Sequence, residues 1–234
     1  YAWNRGQLMA FNPARQTRLL GLFEPDHMHY ESDRVKDGAG EPSLAEMTET
    51  AIRLLSRNRA GYVLLIEGGR IDHAHHAGNA YRALSDTKAM DDAVAAALRL
   101  TKASDTLIIT TADHSHTLTI SGYAPRGNPI LGTVNDTAGK PMMAKDGKSY
   151  TTLGYANGPG AAADGTGRPD PSTTDTDNAD YLQSALVPLS AETHGGEDVV
   201  ARASGPGAAL VRGTIEQHTL YYIMRDALFG AKAK

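Results

Sequence analysis

With 234 residues, 41% of them hydrophobic and 21% charged, the chain has apolar side chains enough for a folded core, which argues against disorder along its whole length. A formal charge of -4 without any Lys/Arg cluster argues against a nucleic-acid or anionic-membrane partner. The absence of cysteine excludes disulfides and thiolate metal sites, and no stretch approaches the roughly 20 apolar residues of a transmembrane segment.

Neither end carries a recognisable address: YAWNRGQLMAFNPARQ lacks the order of a secretion signal, and DALFGAKAK lacks that of a lipid-anchor tail. From Pro42 to Asn58, Leu44, Met47, Ala51, Leu54 and Leu55 recur at helical spacing behind Ser43, which predicts an amphipathic helix capped by that serine. The apolar run Gly61 to Ile66 predicts a strand buried on both faces, as in a parallel sheet, ending at Glu67. From about His75 to Leu100, Ala80, Leu84, Ala89, Val94, Ala97 and Leu98 share one face without an intervening proline, predicting a second, long helix. Thr106 to Thr111 predicts another strand, ending on Asp113-His114-Ser115-His116. Alternating helices and strands give an α/β fold with a mostly parallel central sheet.

After Tyr123, Gly, Pro, Thr, Asn and Asp dominate and the hydrophobic period fades, so residues 122–192 read as a loop-rich insert or small subdomain, with a linker as the alternative. The α/β core then comprises residues 1–121 and 193–234, with a strand expected over Val199–Ala203 and a helix from about Ile215 to Phe229.

The chemistry-bearing residues cluster beside these strands. His73, His75 and His76 follow the first, His114 and His116 follow the second, and His194 precedes the last, with Glu67, Asp72 and Asp113 among them. Ligands of open α/β sheets bind beyond the carboxyl ends of strands, where Glu67 and Asp113 should emerge. Asp72 and His76 are four apart, so on a helix both side chains can grip one ion. Asp113 and His114 form a second pair at a strand-to-loop junction, and His194 can complete either set. Imidazole and carboxylate suit Zn²⁺, whereas an isolated carboxylate such as Glu67 suits Mg²⁺.

The segments IEGGRIDHAHHAG (66–78), TTADHSHTLTISGYAPRGN (110–128) and ETHGGEDV (192–199) resemble the metal-binding segments of alkaline phosphatases, particularly the animal-type branch and its bacterial relatives. The resemblance runs from about Leu19 to Asp226 and is weakest between about Ile130 and Tyr181. It implies part of a three-layer sandwich and a site for two zinc ions and one magnesium ion. Asp72, His76 and His194 would hold the first zinc, Asp113 and His114 the second, and Glu67 the magnesium. His116 would orient a ligating carboxylate, and His73 would sit near the phosphate and the magnesium. A calcium-like site of the animal-type branch maps onto the Phe23 carbonyl, Glu24 and Glu41, with a solvated acidic loop of Glu31, Asp33 and Asp37 as the alternative.

The resemblance further implies hydrolysis of phosphate monoesters through a phosphoserine intermediate, a homodimer with the insert at its crown, and a periplasmic, secreted or cell-surface location. The family's nucleophile motif has no match here: Ser43, Ser56, Ser85 and Ser121 sit in other contexts. The expectation is therefore a fragment of a longer phosphatase, inactive alone. Two other readings stay open: a phosphodiesterase or sulfatase of the same superfamily, and a non-catalytic metal-binding module.

Overall fold

The computed structural model describes residues 1–162 and 167–230, so residues 163–166 of the expected insert and 231–234 of the expected core lie outside the described residues. Short helices α1 (Arg5–Met9) and α2 (Glu31–Arg34) precede α3 (Leu44–Leu55). The predicted cap is present as a full capping box: Ser43 Oγ accepts the Glu46 N–H at 3.2 Å and Glu46 Oε2 accepts the Ser43 N–H at 3.0 Å. Such a cap stabilises a helix by about 1 kcal/mol.

One long helix was expected from His75, but the structure has two, α4 (Arg70–His76) and α5 (Ala80–Leu100). The break falls at Gly78, whose φ of +67° suits glycine, and Asn79 then caps α5 by accepting the Arg82 N–H at 2.9 Å. The chain thus stops and restarts a helix without proline. α5 packs against α2, α3 and α4. Its buried residues are Ala80, Ala83, Asp86, Ala93, Ala96 and Ala97, whereas Leu84 and Leu98 of the predicted stripe are exposed. α3 likewise buries Thr48 and Ile52. Small side chains let the helices approach closely, which leaves the leucines on the flank.

The strand expected over residues 61–66 forms no ladder, and Val63 and Leu65 are exposed at 66% and 88%. A strand exists only with a partner for its N–H and C=O groups, and none of the described strands pairs with this segment. The next strands are β1 (Ile108–Thr110), β2 (Ser115–His116), β3 (Leu118–Ile120), β4 (Leu153–Gly158), β5 (Ala185–Pro188), β6 (His194–Gly195) and β7 (Arg202–Ser204). The fold is α/β as expected, but its described sheets are small and mixed. β1 pairs antiparallel with β7, and β2 with β6; β3 pairs antiparallel with β4, which pairs parallel with β5. With the 61–66 run unpaired, β1 has no parallel neighbour from the preceding helical crossover. The last helix, α6 (Thr219–Phe229), begins four residues later than the period suggested. No described helix is long and apolar enough to cross a membrane.

The segment expected as an insert is not structureless. Val134, Leu153 and Tyr155 are buried there, and isolated bridges join Thr133 to Thr151 and Met143 to Ser149. Its return limb is tied to the α4–α5 junction. The Gln183 N–H donates to the Gly78 carbonyl at 2.9 Å, Gln183 Oε1 accepts the Ala80 N–H at 2.9 Å, and Asn79 Nδ2 donates to the Ala179 carbonyl at 2.7 Å.

Asp86 is a buried acid in the middle of α5. Its carboxylate accepts the Glu31 N–H at 3.2 and 3.3 Å, capping α2, whose own cap residue Tyr30 offers no side-chain bond. Burial pushes its carboxyl up to about 6, against a lowering by the Glu31 N–H. Because the folded value lies above the unfolded one of 3.8, the folded chain binds the proton more tightly. The charged form therefore destabilises the fold fully above about pH 6 and not at all below about pH 4. Asp86→Asn keeps an acceptor for Glu31 and is expected to raise stability at pH 7 by about 2 kcal/mol. The gain should fade as pH falls through this window, read by urea unfolding at both ends.

Candidate metal centre

Each limb of the site is delivered by one element. α4 carries Asp72, His73, His75 and His76, and its i, i+4 geometry brings His76 Nε2 to 3.4 Å from Asp72 Oδ1. The loop after β1 carries Asp113 and His114. The short β2–β6 ladder places His116 opposite His194, so that two residues nearly 80 apart in sequence become cross-strand neighbours.

These side chains converge on one atom. Asp72 Oδ1 lies 3.1 Å from His116 Nε2, 3.4 Å from His76 Nε2, 3.5 Å from His194 Nε2 and 3.8 Å from His114 Nε2. The atom is buried, yet no donor meets it with hydrogen-bond geometry. His76 Nε2 and His194 Nε2 face each other at 3.1 Å, and the His114 and His194 rings stack at 3.5 Å. An orphaned buried carboxylate oxygen among imidazole nitrogens, which fall into the groups Asp72, His76 and His194 and Asp72, His114 and His116, fits cation binding, and the nitrogen-rich donor set fits zinc.

The remaining predicted residues are placed differently. Asp113 Oδ2 is 3.4 Å from His114 Nε2, but its side chain is 81% exposed. His114 therefore stands between Asp113 and the Asp72 cluster. Glu67 is exposed, its carboxylate folded back over Gly69, and it belongs to none of the convergent ligand groups among the described residues. His73 Nδ1 is 2.9 Å from Arg70 Nη1, and its ring meets the edge of His27 at 4.3 Å. Burial, and then the Arg70 cation, hold its imidazolium below the ordinary range.

The calcium expectation fits poorly. Glu24, His29 and Asp37 gather into one group, with His29 Nδ1 3.3 Å from Glu41 Oε1 and 3.8 Å from Glu24 Oε1. Buried Glu41 already accepts the His29 N–H on both oxygens, at 3.0 and 3.1 Å. Calcium takes about 6–8 oxygen ligands, whereas here an imidazole stands against the carboxylates that follow Phe23. Its bond to Glu41 holds the His29 ring above its ordinary value, outweighing burial.

Three contributors were assigned no role by sequence reasoning, although His75 stands in the histidine cluster it named. Glu192, two residues before His194, is buried; its carboxylate receives Thr117 N–H and O–H at 2.5 and 2.7 Å and lies 2.7 Å from His116 Nδ1. Burial pushes its carboxyl up, but these donors together outweigh it and hold the group below the usual range. His75 is the second, stacked on His116 at 4.6 Å and 2.8 Å from the hydroxyl of buried Tyr155, the third. Burial, then the neighbouring His116, lowers His75 to about 4, so its ring stays neutral in its hydrogen bond with the Tyr155 hydroxyl. A glutamate inside ETHGGEDV was the available signal for Glu192; nothing local in the sequence marks Tyr155.

Against known proteins, the family model described as alkaline phosphatase matches residues 1–229. The chain is 48% identical over 228 residues to the tissue-nonspecific alkaline phosphatase of Gallus gallus, covering 97% of this chain and 42% of that protein. It is 44% identical over 230 residues to an alkaline phosphatase of Gadus morhua, covering 97% of this chain and 46% of that one. The chain therefore spans less than half the length of these relatives. A solved structure of a TAB5 alkaline phosphatase variant, described with Mg bound, overlays with a TM-score of 0.56 at 21% identity, covering 89% of this chain and 46% of that one. That likeness shows a partial alkaline-phosphatase-like fold.

Proposed function

This chain belongs to the alkaline phosphatase family, and from that premise we propose that it supplies most of the metal ligands of a phosphomonoesterase working through a phosphoserine intermediate. The observation that carries the reading is the buried, orphaned Asp72 Oδ1 with four imidazole Nε2 atoms turned toward it.

In this reading Asp72, His76 and His194 hold one zinc, Asp113 and His114 a second, and Glu67 a magnesium. When bound, the metals supply Lewis-acid stabilisation of charge developing on the phosphoryl oxygens. His116 holds Asp72 in place from Nε2, and His73, braced by Arg70, faces the magnesium side. The serine nucleophile lies outside these residues; Ser43, for one, is committed to capping α3. By family resemblance the whole protein is a periplasmic, secreted or surface-attached homodimer, with residues 122–192 as its crown.

The test is the whole protein containing this chain, assayed on a generic phosphomonoester with zinc and magnesium, beside its Asp113→Ala variant. Activity should fall at least about 100-fold in the variant, the scale for removing a group that stabilises transition-state charge. Activity indifferent to Asp113 would refute the ligand assignment. Diester or sulfate-ester hydrolysis without monoesterase activity would move the protein to another branch of the superfamily.

A further inference from the structure

An imidazole can turn one nitrogen toward a metal centre dependably only when its other nitrogen is committed elsewhere. Around Asp72, two rings meet that condition through the same residue. The backbone carbonyl of Glu192 lies 2.6 Å from His76 Nδ1, and its carboxylate Oε2 lies 2.7 Å from His116 Nδ1. The Glu192 N–H donates to the His76 carbonyl at 2.8 Å, closing a two-point link to the end of α4. Its side chain is wholly buried, and the other carboxylate oxygen is satisfied by Thr117 N–H and O–H. Behind it stands Gly158 of β4, whose φ is +135° and where an added Cβ would approach Glu192 Cβ to 3.2 Å.

We infer that Glu192 is the positioning residue of the centre: its carbonyl commits Nδ1 of His76 and its carboxylate commits Nδ1 of His116, so that both rings present Nε2 to Asp72. The inference rests on reading the Asp72 cluster as a metal centre. A carbonyl oxygen only accepts, so His76 Nδ1 carries a hydrogen and leaves Nε2 as the ligating atom. His116 donates to a carboxylate from Nδ1, and its Nε2 lies 3.1 Å from Asp72 Oδ1. Glu192 touches neither substrate nor metal in this arrangement; it acts through the rings.

Glu192→Gln separates positioning from mere packing. The amide oxygen can still accept both Thr117 donors, but the amide NH₂ then faces His116 Nδ1, which must become an acceptor; the backbone carbonyl at His76 is unchanged. Ring ¹⁵N spectra of histidine-labelled whole chain should show hydrogen-bearing Nδ1 on His76 and His116 in the wild type. In the variant only His116 should lose it, and zinc affinity, read by chelator competition, should fall about 10–100-fold. Unchanged His116 spectra, or zinc affinity within threefold, would overturn the inference. A variant that does not fold leaves the wild-type spectrum to decide, since a His116 Nδ1 without hydrogen also overturns it. Failure of the underlying reading looks different: zinc binding absent, or indifferent to Asp72→Ala, while both rings still carry hydrogen on Nδ1.

Discussion

Asp72→Ala is expected to abolish the stabilisation that zinc confers while leaving the metal-free chain nearly unchanged. With zinc at about 100 times its Kd, a binding site reserved to the folded state adds about 2.7 kcal/mol. For a chain of this size that raises Tm by about 5–10 °C. The alanine variant should show no such rise, because the oxygen on which His76, His114, His116 and His194 converge has gone. Without metal the loss should stay under about 1 kcal/mol, since no donor satisfies that oxygen and none is orphaned by its removal. A calorimetric scan with and without zinc reads both effects. A zinc-induced rise that persists in the variant would place the metal elsewhere.

Gly205→Ala should be among the most damaging single methyl groups. Gly205 follows β7 with φ of +101°, and an added Cβ would fall 2.0 Å from the Thr106 carbonyl oxygen and 2.8 Å from its carbon. Both are backbone atoms leading into β1, which no rotamer change can move. The left-handed backbone penalises alanine by about 1–2 kcal/mol, and forcing the strands apart adds about 1–3 kcal/mol. A loss of about 3 kcal/mol, or about 6–12 °C in Tm, is expected. Equilibrium urea unfolding measures it, and a change under about 1 kcal/mol would show that β1 and β7 do not pack this closely. Because the chain leaves β1 toward Asp113 and His114, loosening this pair should also weaken zinc binding.

What could be read from the sequence was local. The Ser43 capping box and the Asp72/His76 pair are set by spacings of three and four residues, which helical geometry converts directly into contact. The motif around His194 pointed to its gathering with His76, although which set it joins depends on the two-residue ladder β2–β6. That register is invisible in so short an alternation. The 61–66 run misled because its apolar composition reports a preference for strand, while pairing depends on what lies alongside. Tyr155 beside His75 and Glu192 beneath His116 are meetings across long stretches of chain, and periodicity carries no information about them. The burial of Asp86 is set by α2, which the sequence did not announce.

The bonds from Ala179, Gln183 and Glu192 to the junction of α4 and α5 divide the middle of the chain into two parts with different evolutionary freedom. The glycine turns at Gly139 and Gly147, exposed and with open space where an added Cβ would stand, can lengthen, shorten or accept a grafted epitope at small cost. The limb from 179 to 192 cannot, since a single inserted residue there would slide the helix cap and the histidine clamp out of phase together. New surface properties can therefore be acquired at the tips of this region while its root keeps the chemistry in register.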